Sequence, residues 1–441
     1  MQSFFWIRFL IVVPMLALFL LAQRYWFVQM WRLAGRIECP ALRRMARGAG
    51  AAAFLFVGLL LMINAFLPRR DIMWRYGGTV GLVGLWVTSA LWAYFAVQSV
   101  AVAGWAWRQA SRMWLSAQRP SETAGSPTSE PEPVLVDRSR RGFLQTASLV
   151  AGALPFACGG YGFFIGRRQY QVRQVELPVS GWQPGLEGLR IVQLSDIHIG
   201  SYMSVSDVRR VVGMANELGA DLAVVTGDFL TGAGDPLEDC IGELSRLRAP
   251  LGVWGCNGNH EIYAGAESVA SALFARHGMH MLRQENVEIV RHQQSFNLIG
   301  VDYQRPRDLE DRPLRMLDGV ESLRRRDMPN ILLSHNPNAF PRAAEMGIEV
   351  MLAGHTHGGQ VTVEILDHRV SPARFLTRYI AGLFQRPLGA AAELEDEQAW
   401  AAAALARPAS LLYVNRGLGT IFAPIRLGVP PEISLFTLRR A

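Results

Sequence analysis

The chain divides by the period of its apolar residues. Four long stretches in the first third are almost continuously apolar: residues 4–21 (interrupted by Arg8 and Pro14), 49–67, 80–107 and the Gly- and Ala-rich 143–165. About 20 apolar residues cross the hydrocarbon core of a bilayer. The first three therefore predict transmembrane helices within residues 1–110, and 143–166 predicts a fourth membrane helix or signal anchor. From about residue 172 the pattern shortens. Residues 189–194, 222–226, 252–256, 296–301, 331–333, 350–353, 411–414 and 433–438 are brief apolar runs of strand length. Between the first two, Val205, Val208, Val212, Ala215 and Leu218 recur at helical spacing, with Ser204 placed to cap a helix over 204–218. Strands alternating with helices predict an α/β domain over 172–441 with a largely parallel core.

Charge sharpens this division. Of 441 residues, half are hydrophobic, and the net charge is +7. Residues 1–170 carry 18 Arg and 6 acids, a balance of +12, whereas residues 171–441 carry 26 Arg and 31 acids, a balance of −5. The basic excess thus sits with the apolar stretches, which points to membrane topology and away from a nucleic-acid partner. The loop after the first stretch has six arginines, the next three and the third six. The positive-inside rule puts the first and third loops in the cytoplasm, so the fourth helix delivers the C-terminal domain to the outer, periplasmic side of the cytoplasmic membrane. The third loop, 111–142, holds the Pro-, Ser-, Thr- and Glu-rich run 120–134, which has little to bury and predicts disorder. It ends in Ser139-Arg140-Arg141-Gly142-Phe143-Leu144-Gln145. This run resembles a twin-arginine export signal, a partner expectation for the export machinery. The same arginines also read as ordinary positive-inside residues before a helix. Four cysteines form no CxxC pair. Cys240 and Cys256 read either as two small buried hydrophobes or, in an exported domain, as a disulfide.

The chemistry stands just past the strand ends: Asp196-Ile197-His198, Gly227-Asp228, Gly258-Asn259-His260, His335 and Gly354-His355-Thr356-His357-Gly358. In open α/β sheets, ligands gather beyond the carboxyl ends of strands. Nitrogen and oxygen donors without sulfur suit Mn, Fe or Zn. Two ions about 3.5–4 Å apart need a shared carboxylate, and Asp228 is the natural bridge. His277, His280, His292 and His368 receive no role.

These five blocks, D-x-H, G-D, G-N-H-[DE], H and G-H-x-H, resemble those of the calcineurin-like metallophosphoesterases over residues 172–441. Gly354-His355-Thr356-His357-Gly358-Gly359-Gln360, Asn415-Arg416-Gly417-Leu418-Gly419 and Pro431-Glu432-Ile433 resemble the membrane-associated bacterial branch, which includes UDP-diacylglucosamine hydrolases of lipid A synthesis. The resemblance implies a four-layer α/β/β/α sandwich and two divalent metal ions (Mn, Fe or Zn). It implies that Asp196, His198 and His357 hold one ion, that Asn259, His335 and His355 hold the other, and that Asp228 bridges them. A hydroxide between the ions would attack phosphorus, and His260 would serve the leaving oxygen as a catalytic acid without binding metal. The expected function is hydrolysis of phosphomono- or diesters, with a lipid-linked or envelope substrate suggested by the anchor. The alternatives are a UDP-diacylglucosamine pyrophosphatase, which needs a cytoplasmic domain, and a non-catalytic membrane scaffold. Residues 383–408 read as an insertion, either a solvated helix or a lipid-facing flap.

Overall fold

The computed structural model describes residues 2–66, 69–117, 138–304, 316–365, 368–375, 377–389, 408–421 and 423–441. The chain forms two compact units, Met1–Phe66 with Leu82–Gly160, and Leu67–Gly81 with Tyr161–Ala441.

The first unit is helical. It contains α1 (Gln2–Gly35), α2 (Pro40–Phe66), most of α3 (Arg69–Ala117) and most of α4 (Arg138–Phe164). Small residues, Ala22, Ser89, Ala90 and Ala93, are buried, while Leu55, Leu59, Trp92, Leu149 and Leu154 are exposed. Small residues let helices approach closely, and polar groups away from water need internal partners. Accordingly, the Trp26 indole N–H donates to the Ala90 carbonyl at 2.8 Å, and that of Trp86 to Gln23 Oε1 at 3.1 Å. Three to four crossings are expected from the sequence. Among the described residues two spans are long and apolar enough to cross a membrane, Gly81–Trp114 and Gly142–Arg168. The first two apolar stretches lie in α1 and α2, outside those two spans. The run 120–134 lies outside the described residues, and the twin-arginine-like residues sit in the first turns of α4.

Among its described residues, the second unit contains fourteen strands: β1 (Gln171–Val179), β2 (Arg190–Leu194), β3 (Leu222–Thr226), β4 (Val253–Cys256), β5 (His280–Met281), β6 (Glu285–Arg291), β7 (Gln294–Val301), β8 (Asn330–Ser334), β9 (Val350–Ala353), β10 (Val363–Ile365), β11 (His368–Val370), β12 (Gly382–Pro387), β13 (Ala409–Val414) and β14 (Glu432–Arg440). The α-helices that accompany them among the described residues are α5 (Val205–Glu217), α6 (Leu237–Leu244), α7 (Asn259–Ala264), α8 (Glu267–Arg276) and α9 (Phe340–Glu345). Ser204 caps α5 as expected, its hydroxyl accepting from the Asp207 N–H while the Asp207 carboxylate accepts from the Ser204 N–H.

Twelve of these strands form two six-stranded sheets, ordered β1-β14-β2-β3-β4-β5 and β12-β13-β9-β8-β7-β6, and β10 and β11 form a separate antiparallel pair. Their side chains alternate between layers, as period-two geometry requires. Ala223 and Val225 of β3 face α5, α6 and α8, whereas Leu222 and Val224 face the second sheet. Ile331 and Leu333 of β8 meet that same inter-sheet layer, while Leu332 faces α9. Helix, sheet, sheet and helix thus enclose three apolar layers. The parallel expectation holds for most strand pairs of the two large sheets, including the edge pairs β1–β14 and β4–β5, with three exceptions. β14 runs antiparallel to β2, and the pairs β12–β13 and β6–β7 are antiparallel. Of the expected insertion, residues 383–387 form most of β12, and 390–407 lie outside the described residues. Cys240 and Cys256 are buried free thiols, so the disulfide alternative is not realised.

Candidate metal centre

The motif residues converge from both sheets. The loops after β2, β3 and β4 bring Asp196, His198, Asp228 and Asn259, and those after β8 and β9 bring His335, His355 and His357. The crevice is therefore made between two sheets, not at a switch point in one. Two groups of ligand atoms result, Asp196–His198–Asp228–His357 and Asp228–His335–His355, each with its atoms within 4.8 Å of one another. Asp228 belongs to both. Its Oδ2 lies 3.4 Å from His198 Nε2 and 3.1 Å from His335 Nε2. Asp196 Oδ1 lies 3.3 Å from His357 Nε2.

This close approach depends on backbone geometry. Asp196, His198, Asp228, His355 and His357 all have φ between 50° and 75°. Left-handed φ in a non-glycine residue costs on the order of 1–3 kcal/mol and persists only where surroundings enforce it. Asp and His tolerate it better than most residues. Here neighbouring loops enforce it: the Asp196 N–H donates to the Gly227 carbonyl at 3.0 Å and the His198 N–H to the Asp228 carbonyl at 3.0 Å. The His355 N–H donates to the Asp196 carboxylate at 2.9 Å. A Cβ at Gly354 would stand 2.2 Å from Asp196 Oδ2, so only glycine lets the loops after β2 and β9 meet.

Several observations fit a divalent cation. The Nε2 atoms of His198 and His357 stand 3.1 Å apart, the first beside the Asp228 carboxylate and the second beside that of Asp196. Burial holds His357 well below the usual histidine range and moves His198 and His355 down to about 3 and about 4, the neutral form that ligates metals. Asn259 Oδ1 is buried without a hydrogen-bond partner. His335 Nδ1 lies 2.6 Å from the Thr226 carbonyl, which can only accept, so the proton is on Nδ1 and Nε2 is free for a ligand role. Burial pulls His335 down, but Asp228 and Asp196 outweigh it and raise the imidazole to about 10. A proton there neutralises the two carboxylates as a cation would.

His260 stands apart from both groups. Its ring packs edge-on against His198 at 4.6 Å, and its backbone N–H donates to Asp228 Oδ1 at 2.9 Å. Its Nδ1 donates to the Thr231 carbonyl at 2.6 Å, which leaves Nε2 unengaged by that bond. Glu261 carries a role that sequence reasoning left unassigned. Its carboxylate is fully buried and accepts from the backbone N–H groups of Asp228, Phe229 and Gly258, each at 2.8 Å. It ties the G-D and G-N-H blocks together, and its place at the acidic position of G-N-H-[DE] was the available signal. Burial raises it to about 7. Of the histidines without an assigned role, His280 stacks on Trp254 at 4.2 Å, a packing contact.

The family model for the calcineurin-like phosphoesterase matches residues 189–359. The "uncharacterized metallophosphoesterase YkuE" of Bacillus subtilis (strain 168) is 29% identical over 309 residues, covering 68% of this chain and 98% of the relative. The "transmembrane protein with metallophosphoesterase domain" of Danio rerio is 28% identical over 293 residues, 64% of this chain. The match spans only 60% of that relative's length. The "UDP-2,3-diacylglucosamine pyrophosphatase LpxG" of Chlamydia trachomatis is 27% identical over 297 residues, covering 57% of this chain and 83% of the relative. With all five motif blocks gathered between two sheets and the family model matching there, residues 189–359 form a calcineurin-like phosphoesterase domain.

Proposed function

We propose that this chain is a membrane-anchored, metal-dependent phosphoester hydrolase acting on phosphomono- or diesters, with lipid-linked or cell-envelope substrates. The observation that carries the reading is the pair of ligand groups sharing Asp228. In it, Asp196, His198 and His357 hold one ion, Asn259, His335 and His355 the other, and Asp228 both. When bound, Mn, Fe or Zn ions would polarise the phosphoryl group and activate water for in-line attack. The protein's own part is to hold the donors in that array and to serve the leaving oxygen. With Nδ1–H committed to Thr231, His260 delivers a proton only from Nε2 of its doubly protonated form. A scaffold that had lost catalysis would be expected to lack ligands, and all seven positions are filled.

The reading is tested on the full chain in detergent. Elemental analysis is expected to find two ions of Mn, Fe or Zn per chain, with metal-dependent hydrolysis of bis-p-nitrophenyl phosphate. Metal-free protein that added cations leave inactive would refute it.

The likeness to LpxG favours a second reading, cleavage of UDP-2,3-diacylglucosamine. The two readings separate by membrane side. The arginine counts of the loops support a catalytic domain outside the cytoplasm, carried there by the fourth helix with the help of the twin-arginine-like run. Protease added to spheroplasts is expected to digest the domain. Protection until lysis would favour the UDP-diacylglucosamine substrate, which is cytoplasmic.

A further inference from the structure

The loop between β13 and β14 lies directly under the first ligand group. The Leu418 N–H donates to the Ser195 carbonyl at 3.0 Å, and the Gly419 N–H to the Asp196 carbonyl at 2.7 Å. A Cβ at Gly419 would stand 2.2 Å from the Ile197 carbonyl oxygen and 3.0 Å from His198 Cβ. The loop thus hydrogen-bonds the Asp196 carbonyl and lies against the Ile197 carbonyl and His198 Cβ, the stretch where Asp196 and His198 have left-handed φ.

Arg426 holds this loop from beneath. Its side chain is 1% exposed and is the largest among the fully buried ones. Nε donates to the Gly419 carbonyl at 3.0 Å, Nη1 to the Arg416 carbonyl at 2.9 Å, and Nη2 to Gly419 again. Burying a guanidinium is costly, and an apolar side chain could fill the same volume. A rigid fork of donors is the better choice where several carbonyls must be fixed relative to one another.

The far side of Arg426 meets the segment that leaves α4. The Arg426 N–H donates to the Gly162 carbonyl at 3.2 Å, and a Cβ at Gly166 would stand 2.2 Å from the Arg426 carbonyl oxygen. The same segment grips the loop that follows His198. Arg167 Nη1 donates to the Tyr202 carbonyl at 2.6 Å, and the Tyr170 hydroxyl to Met203 Sδ at 3.3 Å.

We propose that Arg426 is a positioning residue for the Asp196–His198–His357 half of the centre, and that residues 162–170 are the mount on which it rests. The inference builds on the reading that this half holds an ion. It makes the exit of α4 a part of the metal site, so a domain cut at residue 172 lacks the mount.

The test uses the full chain in detergent, titrated with Mn²⁺ by calorimetry, with melting temperature measured alongside. Wild type is expected to bind two Mn²⁺. Arg426→Met is expected to keep one ion and to bind the other about 10–100-fold more weakly, the loss typical of groups that orient metal ligands. His357→Ala should weaken the same ion. Arg426→Lys should restore little, because an ammonium cannot span both carbonyls as the fork does. Gly166→Ala should reproduce the selective loss with Arg426 intact, and it decides the matter alone if Arg426→Met does not fold. Equal weakening of both ions in step with melting temperature, or no weakening, overturns the inference. Should wild type bind a single Mn²⁺, the two-ion reading falls; weakening of that ion in Arg426→Met then supports the inference, and its retention overturns it.

Discussion

The two halves of the centre are held differently. Asp196, His198 and His357 are each at most 2% exposed, all three have left-handed backbones, and loops from both sheets enclose them. The half with His335 and His355 is more open. His335 is fully buried on its Thr226 tether, but His355 is only partly buried and faces the Tyr303 ring at 5.4 Å. One half is built like a structural site, closed by long-range contacts. The other leaves a side accessible, as a site that must admit substrate requires. Among the described residues, Asp228 is the only side chain that belongs to both candidate ligand groups, and the His260 backbone N–H donates to that carboxylate.

Removing the shared ligand breaks the comparison most severely. Asp228→Asn is expected to weaken both ions. Lost cation stabilisation of several kcal/mol, at about 1.4 kcal/mol per tenfold, lowers kcat/KM on bis-p-nitrophenyl phosphate by about 10³–10⁴-fold. Elemental analysis on the same sample should show the ions depleted, and full metal content in an active variant would contradict the bridge. His260→Ala leaves both halves in place. Metal content should stay at the wild-type level while turnover falls about 10²–10⁴-fold, and the loss should shrink for esters with better leaving groups, which need less protonation. An effect independent of leaving group would argue for a role other than proton donation.

Chelation sharpens the contrast between the halves. During timed exposure to EDTA, the ion at His335 and His355 should leave first, with one ion per chain persisting before full depletion. His355→Ala should speed the first phase only. Simultaneous loss of both ions would mean that burial does not govern the order.

The smallest effect is on stability. In the metal-free protein, Asp228 and Asp196 raise His335 to about 10 despite burial, against about 6.5 in an unfolded chain. Such a group stabilises the fold fully below pH 6.5, and its contribution is lost as pH rises through the folded value. The melting temperature in EDTA should therefore fall between about pH 7 and 10. Added Mn²⁺ should flatten this fall, because the cation replaces the His335 proton. A flat profile in EDTA would show that His335 is already neutral.

Much of the catalytic unit was legible in the sequence because local rules govern it. The apolar run 350–353 is β9 itself, the pattern over 204–218 gives α5 with its Ser204 cap, and the candidate ligands follow strands as the sheet geometry demands. The membrane count was less legible, since an apolar run alone does not distinguish a crossing from a packed helix. Glu261 and Arg426 were missed as working residues for a related reason. One is an acid in a short helix and the other an arginine among 44. Their roles appear only when distant backbone groups surround them.

By itself, the sequence determined the division into an apolar, arginine-rich part and an α/β part, most of the strands and which side chains are candidate ligands, because period and chemistry are written residue by residue. Tertiary structure alone decided that β14 returns antiparallel beside β2, that two sheets share one crevice, and that Asp196 accepts from a His355 backbone 159 positions away. Those are through-space relations. They are fixed by packing the inter-sheet layer and by satisfying buried backbone groups, and no local pattern in the chain encodes them.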